Sequence, residues 1–357
     1  MSANSLTSIL NPFSIRANFF AGLVCAGLLA GSSAWGGRIP QGVFSLGNSG
    51  NPVPPQVLHN PNVTGCSIRY GWKDIEPTEG DFQWDWLDGE VAKVAAAGKQ
   101  VLLRIMTQSA RPGWVSKAVQ KHGGSFFTWE DGGETYSIPV FWDPTYLDKK
   151  KNMIAALGAH FSENPAVTIV TASFANARSE DWNVPHTPEF VDQWLSLGYT
   201  SDLMLDAGQQ IIDATMEAFP HQHVALSIGT SGTELDPSPD YLARTTTVWA
   251  WNAWPGRLLT QVSSLSTFIP PAPGDKGSAW AVLWNMTPQA GAQMVFRCIN
   301  DPEYIVNHGV PIDPALALTE ATDLGIAYKV NYIEIYQIDV INLPKVIKDV
   351  QASLLGL

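Results

Sequence analysis

Between residues 38 and 352 the apolar positions follow two spacings. Short β-branched and aliphatic runs recur, and between most of them the apolar residues are spaced as on one face of a helix. The clearest stretch starts with a run from Cys66 to Trp72, followed by a Pro/Glu/Gly turn. A helical pattern from Trp84 to Ala97 comes next, closed by Gly98, and a second run spans Val101 to Met106. That order predicts a βαβ unit with parallel strands. Further runs predict strands at Gly42 to Leu46, Val167 to Phe174, His223 to Ile228, Leu258 to Leu265, Ala279 to Trp284 and Tyr332 to Ile338. Helices are expected at Tyr146 to Phe161, Pro188 to Phe219 and Pro314 to Ala327, with a short one opening at Arg111 to Trp114. Eight strands interleaved with helices predict an α/β fold, a (β/α)8 TIM barrel in a single domain. Ala352 to Leu357 should be a short tail.

Gly47 to Pro61 reads as a loop, and residues 123 to 145 as a long aromatic one of the functional kind. Barrels of this type place their chemistry beyond the C-terminal strand ends, which points to Arg69 and Trp72 at the tip of the second strand. On the last strand, period-2 alternation sends Ile333 and Ile335 to the helix layer and Tyr332, Glu334 and Tyr336 into the lumen. A lumen carboxylate without a partner is costly. Glu334 therefore needs either a purpose or a cation, with Arg69 and Arg104 as the candidates.

Ahead of this region, Arg16 is the only charged residue before Arg38, and residues 19 to 30, FFAGLVCAGLLA, are continuously apolar. The run is too short to span a bilayer, which takes about 20 residues. With Ser32-Ser33-Ala34 behind it, the pattern reads as a cleaved export signal over residues 1 to 34. The mature chain is then expected to be periplasmic or extracellular, with no stable membrane span.

The net charge of −12 and the lack of a basic run argue against a nucleic-acid partner. No CxxC pair or His/Cys cluster occurs, so no metal and no organic cofactor are expected. His221 and His223 flank the fifth strand at its N-terminal edge and are not read as ligands. No G-x-S-x-G turn suggests a serine hydrolase. Cys66 and Cys298 could pair in an oxidising compartment, a point that sequence leaves open. Fourteen tryptophans in a chain with 15% charged residues are a heavy aromatic load. Indoles serve both cores and sugar-binding clefts.

The run Arg69-x-x-Trp72-x-x-Ile75-Glu76-Pro77-x-x-Gly80-x-Phe82-x-Trp84-x-x-Leu87-Asp88 resembles the second-strand signature of retaining barrel glycoside hydrolases, the family 42 β-galactosidase group in particular. Phe141-Trp142-Asp143-Pro144-x-Tyr146 and the later Asn164-Pro165-Ala166-Val167 resemble the approach to strand four in the same enzymes. The resemblance covers about residues 66 to 182. It implies a carbohydrate substrate and two carboxyl groups about 5–5.5 Å apart across one sugar linkage. It places the acid/base just after strand four, where Glu180 is the candidate, with Asn176 four residues earlier instead of adjacent. It places the nucleophile at the end of strand seven, yet Ala279 to Trp284 carries no carboxylate, so Glu334 is the substitute. Glu234, Asp236 and Asp339 are the alternatives.

Trp142, Trp182, Trp284 and Tyr336 stand where sugar subsites would be, while Trp84, Trp86 and Trp194 fall on helical patterns and belong to the core. Glu76 reads as a structural residue of the turn. The chain is expected to hydrolyse a β-linked oligo- or polysaccharide. The missing strand-seven carboxylate keeps a catalytically silent carbohydrate-binding barrel as the alternative.

Overall fold

Eight parallel strands close on themselves in chain order. They are β1 (Gly42–Leu46), β2 (Gly65–Gly71), β3 (Gln100–Met106), β4 (Val167–Thr171), β5 (His223–Ser227), β6 (Leu258–Leu265), β7 (Ala290–Met294) and β8 (Tyr332–Tyr336), with β8 paired back to β1. This computed structural model describes residues 37–107, 110–131, 133–174, 182, 188–230, 235–301, 306–307, 310–311 and 313–357. The expected export segment, residues 1 to 34, lies outside the described residues, as do Asn176, Glu180 and Glu234. No described helix is long and apolar enough to cross a membrane.

Two apolar layers hold the barrel. Outward-facing strand residues such as Val101, Leu103, Val170, Val224 and Ile333 pack against the surrounding helices. Inside, Phe44, Leu102, Ile169, Ala225, Leu259 and Tyr332 form one lumen layer. Phe44 and Tyr332 meet edge-on, with ring centroids 5.5 Å apart. Their rings fit because two strands carry glycine opposite them. A Cβ at Gly65 would lie 2.3 Å from the Phe44 ring, and one at Gly291 would lie 2.2 Å from the Tyr332 ring. The sequence therefore gives up side chains on β2 and β7 so that two aromatics can plug the lumen.

That fit explains a correction. The seventh strand is Ala290–Met294, and Ala279–Asn285, which reads as a strand in sequence, is a helix. Its buried residues, Ala279, Trp280, Val282 and Leu283, follow helical spacing, and the Ser278 hydroxyl caps it by accepting from the Ala281 amide at 3.1 Å. The true strand, Ala-Gly-Ala-Gln-Met, has little β-propensity, and its small residues answer the lumen packing.

Three further differences concern the top and the end of the barrel. The expected helix from Pro188 to Phe219 is two helices, Pro188–Ser196 and Ser201–Ala218. Gly198, at φ +81°, and the Thr200 cap divide them. The aromatic loop between β3 and β4 contains an antiparallel hairpin, Phe126–Asp131 with Glu134–Pro139. Its Phe127 ring stacks on Trp194 at 4.0 Å. The last helix, Pro344–Leu355, leaves only Gly356 and Leu357 of the expected tail.

Candidate active site

Alternation brings a polar layer above the apolar lumen plug. Arg104 of β3, Gln261 of β6 and Glu334 of β8 are all buried and turned inward. One Glu334 oxygen, Oε2, accepts from Arg104 Nη2 at 2.8 Å and from Gln261 Nε2 at 2.8 Å. Tyr332 donates its hydroxyl to Gln261 Oε1 at 2.7 Å, which fixes which end of that amide faces the carboxylate. Burial, together with the Glu334 charge, holds the Tyr332 hydroxyl well above its ordinary pKa, so it remains a donor.

Arg104 is thus the cation that supports Glu334. Arg69 stands beside it on β2, in register, half-buried nearer the mouth. The other Glu334 oxygen, Oε1, is buried without a hydrogen-bond partner. Gln293 of β7 lies in register with Glu334. The Ser227 and Ser263 hydroxyls, 2.7 Å apart, close the β5–β6 side. Glu334 itself is 0% exposed, so it forms the floor of the mouth, beneath the rim.

The tryptophans divide differently from the sequence reading. Trp72 is buried and donates its indole N–H to Glu76 at 2.7 Å; the other Glu76 oxygen accepts from the Gly80 amide at 2.9 Å. The Glu-Pro-x-x-Gly run is a turn clamp, with the Glu76 carbonyl also receiving Trp114 Nε1 at 3.0 Å. Trp182 is corrected from a platform to a core residue. It is fully buried against Phe174 and Gly208, and its N–H goes to Thr246 at 3.1 Å.

Trp284 is corrected as well. It sits on the helix that runs down to the start of β7, with Lys329 4.7 Å over its ring, away from the mouth. Trp142 is half-buried against Trp194 and Tyr199 near the hairpin, and Tyr336 is half-buried at the end of β8. Asn176 and Glu180 follow β4 outside the described residues.

Two of the alternative carboxylates have structural partners. Asp339 lies on the helix Gln337–Asn342 beyond β8 and accepts the Cys298 and Ile299 amides at 2.9 Å each. Asp236 accepts Tyr199 Oη at 2.7 Å and Ser201 Oγ at 2.6 Å. Cys66 and Cys298 are separate free thiols, and burial pushes each up to about 12. Among the described residues no three His, Cys, Asp or Glu side chains gather as a metal site. Gln261 was missed in the sequence. Alternation along Leu258–Leu265 would have placed it inside with Leu259, and a buried amide is a signal that a charge stands nearby.

The profile of glycoside hydrolase family 42, described as β-galactosidase, matches residues 56–205. This is a family 42-like (β/α)8 barrel. Among curated relatives, β-galactosidase BglY of Alicyclobacillus acidocaldarius is 26% identical over 150 residues, covering 39% of this chain and 20% of that protein. β-Galactosidase BbgII of Bifidobacterium bifidum is 31% identical over 112 residues, 30% of this chain and 15% of that one. The matched stretch thus spans a fifth or less of these relatives' length.

Solved structures agree on the fold across most of the family 42-like barrel. The catalytic domain of β-amylase from Paenibacillus polymyxa superposes with a TM-score of 0.57 at 9% identity, covering 85% of this chain and 94% of that one. A cold-adapted β-galactosidase from Rahnella sp. R3 gives 0.51 at 13% identity, covering 90% and 57%. The family profile ends within the helix Ser201–Ala218. The half containing β5 to β8 is related by fold alone.

Proposed function

We propose that this protein is an exported glycoside hydrolase that cleaves a β-linked oligo- or polysaccharide with retention of configuration. The observation that carries the reading is the family 42 match over residues 56–205, which includes β2, β3, β4 and the segment bearing Glu180. The β-galactosidase names of the relatives support a β-linked substrate. The apolar run at residues 19 to 30, with Ser32-Ser33-Ala34 behind it, supports export to a periplasmic or extracellular location.

In this reading Glu180 protonates the glycosidic oxygen as the bond to the anomeric carbon breaks. Glu334 attacks that carbon, and water later releases the sugar with Glu180 acting as base. The unpartnered Oε1 of Glu334 supports its assignment, since Arg104 and Gln261 occupy only Oε2. The test is Glu334→Gln, with glycosyl-enzyme trapping and melting temperature measured on the same preparation. Loss of trapping with stability retained supports the nucleophile. A destabilised protein that still turns over removes Glu334 from the chemistry.

A second reading, a carbohydrate-binding barrel without catalysis, rests on β7. That strand carries Gln293 and no carboxylate, and the carboxylate beside it is fully buried and ion-paired. Sugar binding without turnover on any glycoside would decide for it.

A further inference from the structure

Tyr332, Gly291 and Gln261 stand in one register row across β8, β7 and β6. The middle position of that row has no side chain, and the outer end of the Tyr332 ring lies over it. A Cβ at Gly291 would stand 2.2 Å from Tyr332 Cζ and 2.6 Å from its hydroxyl oxygen. The gap lets a ring rooted on β8 reach past β7 and donate its hydroxyl to Gln261 Oε1 on β6 at 2.7 Å. Filling the lumen asks only for the ring, which a phenylalanine would supply as Phe44 does on β1. The hydroxyl needs another reason.

That reason lies one layer up. With its oxygen taken by the phenol, the Gln261 amide presents its NH2 to the layer above. Nε2 donates to Glu334 Oε2 at 2.8 Å, with Ser263 Oγ at 3.4 Å. Arg104 Nη2 donates to the same Oε2 at 2.8 Å. Both donors thus fall on one carboxylate oxygen, and Oε1 is left buried without a hydrogen-bond partner. A flipped amide would set its own oxygen against the carboxylate, acceptor facing acceptor. Tyr332, Gln261 and Glu334 are each 0% exposed, so these bonds act in a low dielectric, where the orientation of a dipole counts most. A carboxylate that acts at a sugar carbon needs one oxygen unclaimed and its geometry fixed beforehand.

We propose that Tyr332 is a positioning residue for Glu334: through Gln261 it steers both donors onto Oε2 and keeps Oε1 for the ligand. The proposal rests on the glycoside reading above and adds a residue that acts only through another side chain. It also gives Gly291 a part in the site, as the gap through which the hydroxyl arrives.

The test is a double-substitution cycle on the full chain, with 4-nitrophenyl β-galactoside, β-glucoside and β-mannoside as substrates. Tyr332→Phe keeps the ring over Gly291 and removes only the hydroxyl. It should lower kcat about tenfold, the rate equivalent of one lost hydrogen bond. KM should stay within about twofold and the melting temperature within about 4 °C of wild type. Gln261→Met should lower kcat about a hundredfold, and adding Tyr332→Phe to it should cost nothing more. Wild-type kcat in Tyr332→Phe, or losses that multiply in the double variant, would overturn the relay and leave the hydrolase reading standing.

A second measurement does not depend on turnover. The side-chain NH2 of Gln261, assigned by NMR of isotope-labelled protein from its loss in Gln261→Asn, should exchange slowly with solvent. One of its protons should be shifted downfield by the carboxylate. Tyr332→Phe should move that proton upfield and speed its exchange. If wild type cleaves no glycoside, this change keeps the relay and loses the enzyme. An NH2 signal that Tyr332→Phe leaves in place overturns the relay whether or not the protein is an enzyme.

Discussion

Lys150 gives the sharpest quantitative test of the packing around β4. It lies on the helix Pro144–Phe161 and is 1% exposed, with its ammonium 5.7 Å from the Tyr146 ring and 5.1 Å from the Phe174 ring. Among the described residues no carboxylate pairs with it, and burial alone brings its pKa from the ordinary 10.5 down to about 7. At about 1.4 kcal/mol per pKa unit, that corresponds to about 5 kcal/mol favouring the neutral amine.

The sign follows from proton counting. Between about pH 7 and 10.5 the unfolded chain binds this proton and the folded chain does not, so Lys150 makes stability rise with pH through that window. Below about pH 7 both states are protonated, and the full cost of burying the charge is present. Lys150→Met keeps a similar volume and removes the charge. The variant should be more stable than wild type by several kcal/mol at pH 7. The gap should shrink by roughly 1.4 kcal/mol for each pH unit above that. Urea unfolding of both proteins at pH 7, 8, 9 and 10 measures it, because other titrating groups cancel in the difference. A gap that stays constant over this range would refute the account of Lys150. The stakes extend to the site, because Phe174, beneath which the amine sits, is the last described residue before the segment that carries Glu180.

Three further outcomes are expected. Arg104→Met should cost about 3–5 kcal/mol by stranding the buried Glu334 carboxylate, and adding Glu334→Leu should recover most of it. Thermal unfolding of the single and double variants checks this. Gly291→Ala places a methyl 2.2 Å from the Tyr332 ring and should destabilise by about 1–3 kcal/mol, with partial rescue by Tyr332→Leu; urea midpoints read both changes. Glu180→Gln should slow glycosides with poor leaving groups while sparing those with acidic ones, since the latter need little protonation; a uniform loss across a series of aryl glycosides would remove Glu180 as the acid.

Most of the barrel was legible because its strands pack on two apolar sides. Gly42–Leu46 and Leu258–Leu265 have the expected bounds, and the alternation on Tyr332–Tyr336 placed Glu334 inside. Ala290–Met294 was not legible, because its residues are selected by a ring on another strand. The Ala279–Asn285 run of Ala, Trp, Val and Leu suits a strand as well as a helix until its burial is seen. In the site, alternation narrowed the partner of Glu334 to Arg69 or Arg104, but only the register and reach across the lumen choose Arg104. The roles of the tryptophans were least legible. An indole on a strand end reads alike whether its N–H meets a sugar or, as for Trp72 and Trp182, a buried carboxylate or hydroxyl.

Hydrolysis with retention on this family 42-like barrel is decided by proton NMR of the sugar first released from aryl β-glycosides. The β-galactoside is the first substrate to examine. The expected result is turnover in which the β-anomer appears first and the α-anomer grows only by mutarotation, with both signals lost in Glu334→Gln. Initial release of the α-anomer would contradict retention. Binding of the glycosides without release of any sugar would contradict the enzyme itself and leave the silent carbohydrate-binding barrel.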